Sequence, residues 1–118
     1  MRIAIGLVLL ASLAAPLAAQ QEIINEKPVR LRHFSGAIVD ARGMTVEYAL
    51  IELRDPKDHH VLASTFADGN GKFAFADRKH GESVELRVSN KGFNTVQYTV
   101  FLSEFGAMHW RVKLPVAK

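Results

Sequence analysis

The stretch that decides the fold is Phe66–Phe75, "FADGNGKFAF". It holds Asp68, Gly69, Asn70 and Gly71 in consecutive positions, followed by Phe73 and Phe75 two residues apart. Glycine and asparagine tolerate a positive φ, and an aspartate can accept backbone N–H bonds within a turn. Period-two spacing of large apolar residues is typical of a strand with one buried face. The stretch therefore predicts a tight hairpin turn whose second strand directs Phe73 and Phe75 into the core.

A calcium-binding loop is a second interpretation of the same stretch, because Asp68 and Asn70 have the spacing of the first two ligands of such a loop. A helix-loop-helix calcium site requires oxygen ligands at positions 1, 3 and 5, glycine at position 6 and glutamate at position 12. Counting from Asp68, position 5 is Lys72, position 6 is Phe73 and position 12 is Lys79. Cations would stand where carboxylates are needed, so the turn interpretation is favoured.

Period-two alternation recurs on both sides of this stretch and indicates an all-β domain. Turn-forming segments separate the runs, and no convincing helical period is present. The alternation predicts inner faces made of Phe34, Gly36 and Ile38; Ala49, Ile51 and Leu53; Val84, Leu86 and Val88; Val96, Tyr98, Val100 and Leu102; and Met108, Trp110, Val112 and Leu114. With the run 61–67 and the strand of Phe73, this makes seven strands and favours a sandwich of antiparallel sheets.

The ordered motifs resemble carboxypeptidase regulatory-like domains. These domains carry Gly-x-Val-x-Asp, a glycine turn, a strand with a small buried residue, Thr-Asp-x-x-Gly-x-Phe-x-Phe, and a Gly-Phe or Gly-Tyr corner. This chain departs from the fourth motif at Ala67, where threonine is usual. Here the corresponding segments are "SGAIVDARG", "YALIEL", "ADGNGKFAF" and "HGESVELRVSNKGF", within residues 31–102. The resemblance implies a seven-stranded antiparallel Greek-key β-sandwich of the transthyretin-like type. It also implies a stand-alone, non-catalytic module that assists or docks to another protein.

The N-terminus indicates export. Arg2 precedes an apolar run, Pro16 interrupts it, and the small residues Ala18 and Ala19 follow. This order is typical of a secretory signal peptide, predicted over residues 1–20, with an N-terminal extension at 21–29 and the sandwich domain at 30–118. We expect a periplasmic or extracellular protein with no stable membrane span after cleavage.

Composition narrows the function classes. The chain has no cysteine, which excludes disulfides, thiol catalysis and cysteine-metal sites. Without Arg2, 14 basic residues stand against 12 acidic ones, and they are spread along the chain, so no nucleic-acid-binding patch is expected.

Few residues suggest a metal site or a catalytic site. His59 and His60 are adjacent and are weak candidates for a metal site, but a zinc centre needs three or four converging ligands. No serine lies in an activating motif, so we expect no catalytic residues, no cofactor and no enzymatic activity. The transthyretin-like hydrolase that acts in purine breakdown is only a remote alternative, because its histidine and arginine motifs and its C-terminal ending are missing.

Exposed aromatic residues are the remaining binding candidates: Phe101, Phe105 and Trp110, with Tyr48 at a strand edge or in a loop. The expected function is that of an interaction or accessory module in the cell envelope. A partner strand at a sheet edge is one way for such a module to bind. The alternative is a carbohydrate-binding module, in which aromatic rings stack on sugars. Trp110 can instead cover one end of the core.

Overall fold

The computed structural model describes residues 22–76, 78 and 81–117, and these residues form β-strands, turns and loops without any helix. The strands are β1 (Ile23–Asn25), β2 (Val29–Leu31), β3 (Ser35–Val39), β4 (Leu50–Arg54), β5 (Val61–Phe66), β6 (Lys72–Ala74), β7 (Ser83–Ser89), β8 (Thr95–Leu102) and β9 (Arg111–Lys113). Within that part of the chain, no helix is long and apolar enough to cross a membrane. The predicted signal peptide and its cleavage site near Ala19 or Gln20 lie outside the described residues.

The strands form two sheets. The larger has the order β1-β8-β7-β4-β5, with β2 also paired to β8, and the smaller has the order β6-β3-β9. One hydrophobic cluster contains inner residues of both, including Ile51 and Leu86 from the larger sheet and Ile38 and Val112 from the smaller. Two sheets around one core are compatible with a β-sandwich.

The alternation predicted most of this core correctly. Val84, Leu86 and Val88 of β7 lie opposite Val100, Tyr98 and Val96 of β8, and all six are buried. Facing residues of an antiparallel pair share one side of the sheet, so alternation in each strand makes a continuous apolar layer. Phe73 is buried, and Phe75 is half-buried against the same core.

Three predictions about the strands need correction. The chain has nine strands among its described residues, because the expected extension at 21–29 contributes β1 and the start of β2. The sheets are mixed, since β1 and β2 pair with β8 in parallel and β9 pairs with β3 in parallel. Met108 is 57% exposed, because β9 begins only at Arg111 and the preceding loop does not continue its alternation.

The Asp68 turn is present, but it is not a hairpin. The N–H of Asp68 donates to the carbonyl of Lys72, and the N–H of Gly71 donates to the carbonyl of Asp68. Asp68 Oδ1 also accepts the N–H groups of Asn70 and Lys72, and only Gly71 in this turn has a positive φ. Since β5 pairs with β4 and β6 pairs with β3, the turn carries the chain from one sheet to the other.

The Asp68 carboxylate accepts backbone N–H groups of the turn, so its removal should destabilise the turn. These N–H bonds lower the pKa of Asp68 and fix the turn. Replacing Asp68 with alanine removes the acceptor of the Asn70 and Lys72 N–H groups, and we expect the variant to melt at a lower temperature than the parent. Millimolar calcium should leave the melting temperature of the parent unchanged. A calcium-dependent rise that Asp68→Ala abolishes would contradict the turn interpretation.

Because the Tyr98 phenol is buried, the stability of the fold should depend on pH in the alkaline range. Burial raises the pKa of its phenol from 10.0 to about 12, with a smaller contribution from the nearby charge of Glu26. A raised folded-state pKa contributes stability that is complete below the unfolded pKa and is lost as the pH rises through the folded value. Stability should therefore fall between pH 10.0 and about 12. Chemical denaturation across this window should show a smaller fall for Tyr98→Phe, and equal slopes would contradict the burial of the phenol.

Candidate interaction surfaces

Strand β5 is one edge of the larger sheet, and among the described residues only β4 pairs with it. The N–H of Ala67 donates to the carbonyl of Ala49, so the backbone of Ala67 faces β4. Backbone groups alternate in direction along an antiparallel strand. Ser64 and Phe66, which lie within the regular register, therefore direct their N–H and C=O groups away from the sheet. We call the outward-facing backbone of β5, together with the β5 side chains, the edge surface.

Apart from a bulge near its start, the edge surface lacks the protection that sheet edges usually carry. Its sequence, "VLASTF", contains no charged residue and no proline. Exposed edges are normally short, charged or bulged, because unpaired backbone groups recruit other strands. The other described edge strands are only three residues long, and β6 and β9 carry Lys72, Arg111 and Lys113. A bulge interrupts β5 only near its start, where its register with Leu53 and Arg54 shifts.

Two aromatic residues extend the edge surface at its C-terminal end. Phe66 is 66% exposed and Tyr48 is 62% exposed. Together with Leu50 and the loop of Asn90 and Lys91, they line an open groove of about 300 Å³. Tyr48 has a φ of 61°, a strained value for a residue with a large side chain. The groove can receive an apolar side chain of a strand lying along β5.

Phe101 and Phe105 lie close together on another part of the surface. Phe101 is 41% exposed, Phe105 is 86% exposed, and both line an open groove of about 480 Å³ with Arg30 and Glu104. The loop that carries Phe105 is held on β2, where Ser103 N–H donates to the carbonyl of Leu31. Exposed aromatic rings beside charged and polar groups can contact a sugar or a protein.

Trp110 covers the core and contributes only part of its surface to a groove. Its ring packs edge-on against Tyr98 at a centroid distance of 4.9 Å and against Phe73 at 6.4 Å. It also borders an open groove of about 650 Å³ on the smaller sheet, whose lining includes Lys72 and Arg111. The ring is half-buried, so its faces are less available for stacking than those of Phe105.

The two candidate metal ligands do not converge. His59 Nδ1 lies 2.7 Å from Glu85 Oε1, and His60 Nδ1 lies 2.5 Å from Asp58 Oδ1. Each imidazole is therefore bound to a different carboxylate. The hydrogen bond with Asp58 raises the pKa of His60, and the same bond lowers the pKa of Asp58.

Potential metal ligands do lie close together in one group of side chains, which shares only His60 with the pair above. Potential ligand atoms of Asp55, Asp58 and His60 all lie within 4.8 Å of one another, in the loop between β4 and β5. Asp55 Oδ1 accepts the N–H of Lys57, and Asp58 Oδ1 accepts the N–H of His60. Both carboxylates thus already serve to fold the loop, which accounts for the cluster without a metal.

Comparisons with known proteins do not show a family for this chain. No protein-family model matches the chain, and no curated protein matches it. Among solved structures, the chain is similar to the crystal structure of 3-chlorocatechol 1,2-dioxygenase from Rhodococcus opacus 1CP. The sequence identity is 12%, the TM-score is 0.45, and the match covers 84% of this chain and 67% of that chain. A likeness this distant carries no argument about function.

Proposed function

We propose that the chain is an exported, non-catalytic interaction module of the cell envelope, built on a transthyretin-like Greek-key sandwich similar to carboxypeptidase regulatory-like domains. The single observation that carries the interaction is the uncharged outer edge of β5, which pairs with no other strand of the described residues. An extended segment of a partner can add to such an edge through main-chain hydrogen bonds, and pockets beside the edge then select its side chains. The Tyr48–Phe66 groove adjoins Phe66, the last residue of β5.

Two features support the relation to regulatory-like domains. Seven of the strands, β3 to β9, fall in the seven runs that the alternation predicts. The motif residues Gly36, Gly43, Gly71 and Gly92 also occupy special positions. Gly43, Gly71 and Gly92 have positive φ, and a Cβ on Gly36 would lie 2.9 Å from the carbonyl oxygen of Trp110. Such positions require glycine, as the motifs of the family do.

A photo-crosslinking amino acid at position 64 tests the proposed function in the native envelope. Ser64 lies in the middle of β5 and its backbone faces outward, so a docked strand would contact it. Ala74 is the matched control, because it is an exposed residue of another edge strand, β6. We expect a discrete crosslinked product from position 64 and none from position 74. Equal products from both positions, or no product from position 64, would sink the proposal.

Carbohydrate binding is the second candidate function, favoured by the groove of Phe101 and Phe105. If the module binds glycans there, retention on a polysaccharide column should be lost in Phe105→Ala and kept in Ser64→Lys, because the two residues line different surfaces. Retention that persists without the Phe105 ring would rule out this groove as the sugar site.

A further inference from the structure

We propose that the groove on the smaller sheet binds an acidic polysaccharide, with a negatively charged group of the sugar chain held between Lys72 and Arg111. This groove lies on a different sheet from the β5 edge, so the inference goes beyond the proposed function and does not rest on it. The groove is open and has a volume of about 650 Å³, within the roughly 300 to 1,000 Å³ that ligand sites occupy. An open groove suits a polymer, because the chain can continue past the site at both ends.

The strand register places two cations on opposite sides of a small residue in this groove. Ala37 of β3 pairs with Lys72 of β6 on one side and with Arg111 of β9 on the other. Phe73 and Val112 are buried, so the residues just before them, Lys72 and Arg111, lie on the outer face of the sheet. The three paired residues therefore form a row across the outer face, with a positive charge at each end and only a methyl group in the middle.

The spacing of this row suits a single oxyanion. Neighbouring strands lie about 4.8 Å apart, so the Cα atoms of Lys72 and Arg111 are separated by about 10 Å. Both side chains are long enough to reach an oxyanion above Ala37 from opposite sides, and a guanidinium can bind two of its oxygens at once. Both are exposed, and neither forms an ion pair with a carboxylate in the described part of the chain. Their charges are therefore available to a ligand.

Asp68, which lines the same groove, favours a sugar chain over an acidic peptide. Its Oδ1 atom accepts the N–H groups of Asn70 and Lys72, which leaves its second oxygen to accept a hydrogen bond from a ligand hydroxyl. An acidic sugar chain offers oxyanions to the cations and hydroxyl donors to Asp68, whereas the side chains of an acidic peptide offer only acceptors. An extended peptide also binds a sheet through main-chain hydrogen bonds, and β3 is already paired on both sides.

Affinity electrophoresis of the purified protein, in gels that contain a dissolved polysaccharide, tests the inference. We expect dextran sulfate, polygalacturonate or both to retard the protein. Unmodified dextran, which has the sugar backbone of dextran sulfate without its charge, should not. The two charged polymers distinguish a sulfate from a carboxylate as the bound group. No retardation by either of them, or equal retardation by dextran, would overturn the inference.

Two double variants with the same loss of charge separate this site from a general attraction. Lys72→Gln combined with Arg111→Gln should raise the dissociation constant for the retarding polymer about tenfold, the combined contribution of two exposed ion pairs. Arg42→Gln combined with Lys57→Gln is the matched control, because both residues are exposed and line none of the three grooves described above. Equal increases in the two double variants would overturn the site. Melting curves of both should match that of the parent, since all four side chains are exposed.

Two other results would contradict the inference in different ways. Tighter binding of polyglutamate than of both charged polysaccharides would make an acidic peptide the occupant. Binding that is lost in Phe105→Ala and kept in the Lys72 and Arg111 double variant would place the sugar in the other groove. The test of the β5 edge stays independent, because a polysaccharide of uneven chain length gives no discrete crosslinked product at position 74. A failure to crosslink at position 64 would likewise leave this inference intact.

Discussion

Replacing Gly106 with alanine should lower the unfolding free energy by about 3 kcal/mol, although the change adds one methyl group in a surface loop. A Cβ on Gly106 would lie 2.3 Å from the carbonyl carbon of Leu31 and 2.7 Å from the nitrogen of Arg32. These are backbone atoms of β2 and its continuation, so they cannot move aside as a flexible side chain can. The loop is also fixed there, because Arg32 N–H donates to the carbonyl of Ala107 and Ala107 N–H donates to the carbonyl of Arg30.

Gly69→Ala is the matched control for this prediction. Its Cβ would meet only the Tyr48 hydroxyl, at an ordinary contact distance of 3.5 Å. We expect denaturant titration to show a change within about 0.5 kcal/mol for the control, as for surface substitutions in general. If Gly106→Ala were as stable as Gly69→Ala, the close packing of the 103–107 loop on β2 would be wrong.

Phe34→Ala should have the largest effect of a single core substitution. The ring is fully buried, and its removal deletes apolar surface and leaves a cavity between the sheets. Such replacements typically cost about 3 to 5 kcal/mol, a large part of the roughly 5 to 15 kcal/mol that holds a small domain folded. We expect the variant to be largely unfolded or to melt far below the parent, as measured by circular dichroism.

Phe105→Ala removes the same atoms from a site that is 86% exposed, which makes it a matched control. Its melting temperature should stay within a few degrees of that of the parent. Comparable destabilisation by both variants would mean that the core does not lie where the structure has it. Phe73→Ala should resemble Phe34→Ala, whereas Phe75→Ala should cost less because its ring is only half-buried.

The inner faces were predictable because strand side chains alternate with a fixed period of two. Ile51 and Leu53 of β4, for example, are completely or almost completely buried, while Glu52 between them is not. The Asp68 turn was predictable for a similar reason, since few residues other than glycine adopt the φ of 75° found at Gly71. Both features depend on local geometry, which one segment of sequence specifies by itself.

Pairing between distant segments was not predictable in the same way. Strand β1 contains three residues, and it joins the larger sheet through its parallel pairing with β8. A three-residue run has too few positions to show a period. The parallel pairing of β9 with β3 likewise depends on where the 103–110 loop delivers the chain, which no local pattern encodes.

In the candidate surfaces, too, local features were predictable from the sequence and features that depend on strand pairing were not. Phe101 and Phe105 were predicted as exposed aromatic residues, and both are exposed. The edge position of β5 was not predictable, because a run such as "VLASTF" can lie in the middle of a sheet or at its edge. The sequence signal is the absence of charge, and it indicates an open edge only once the strand order shows that β5 has no second neighbour within residues 22–76, 78 and 81–117.

Amide hydrogen exchange within β5, measured on dilute protein, tests the central claim most directly. If the edge is free, the Ser64 and Phe66 amides should exchange rapidly, while those of Thr65 and Ala67, which face β4, should be protected. Because Ala67 N–H donates to Ala49 at 2.8 Å, it serves as the internal reference. Rapid exchange at alternate residues is the result that the account predicts. Equal protection of all four amides in dilute protein would show that the edge is already covered, and would contradict the account.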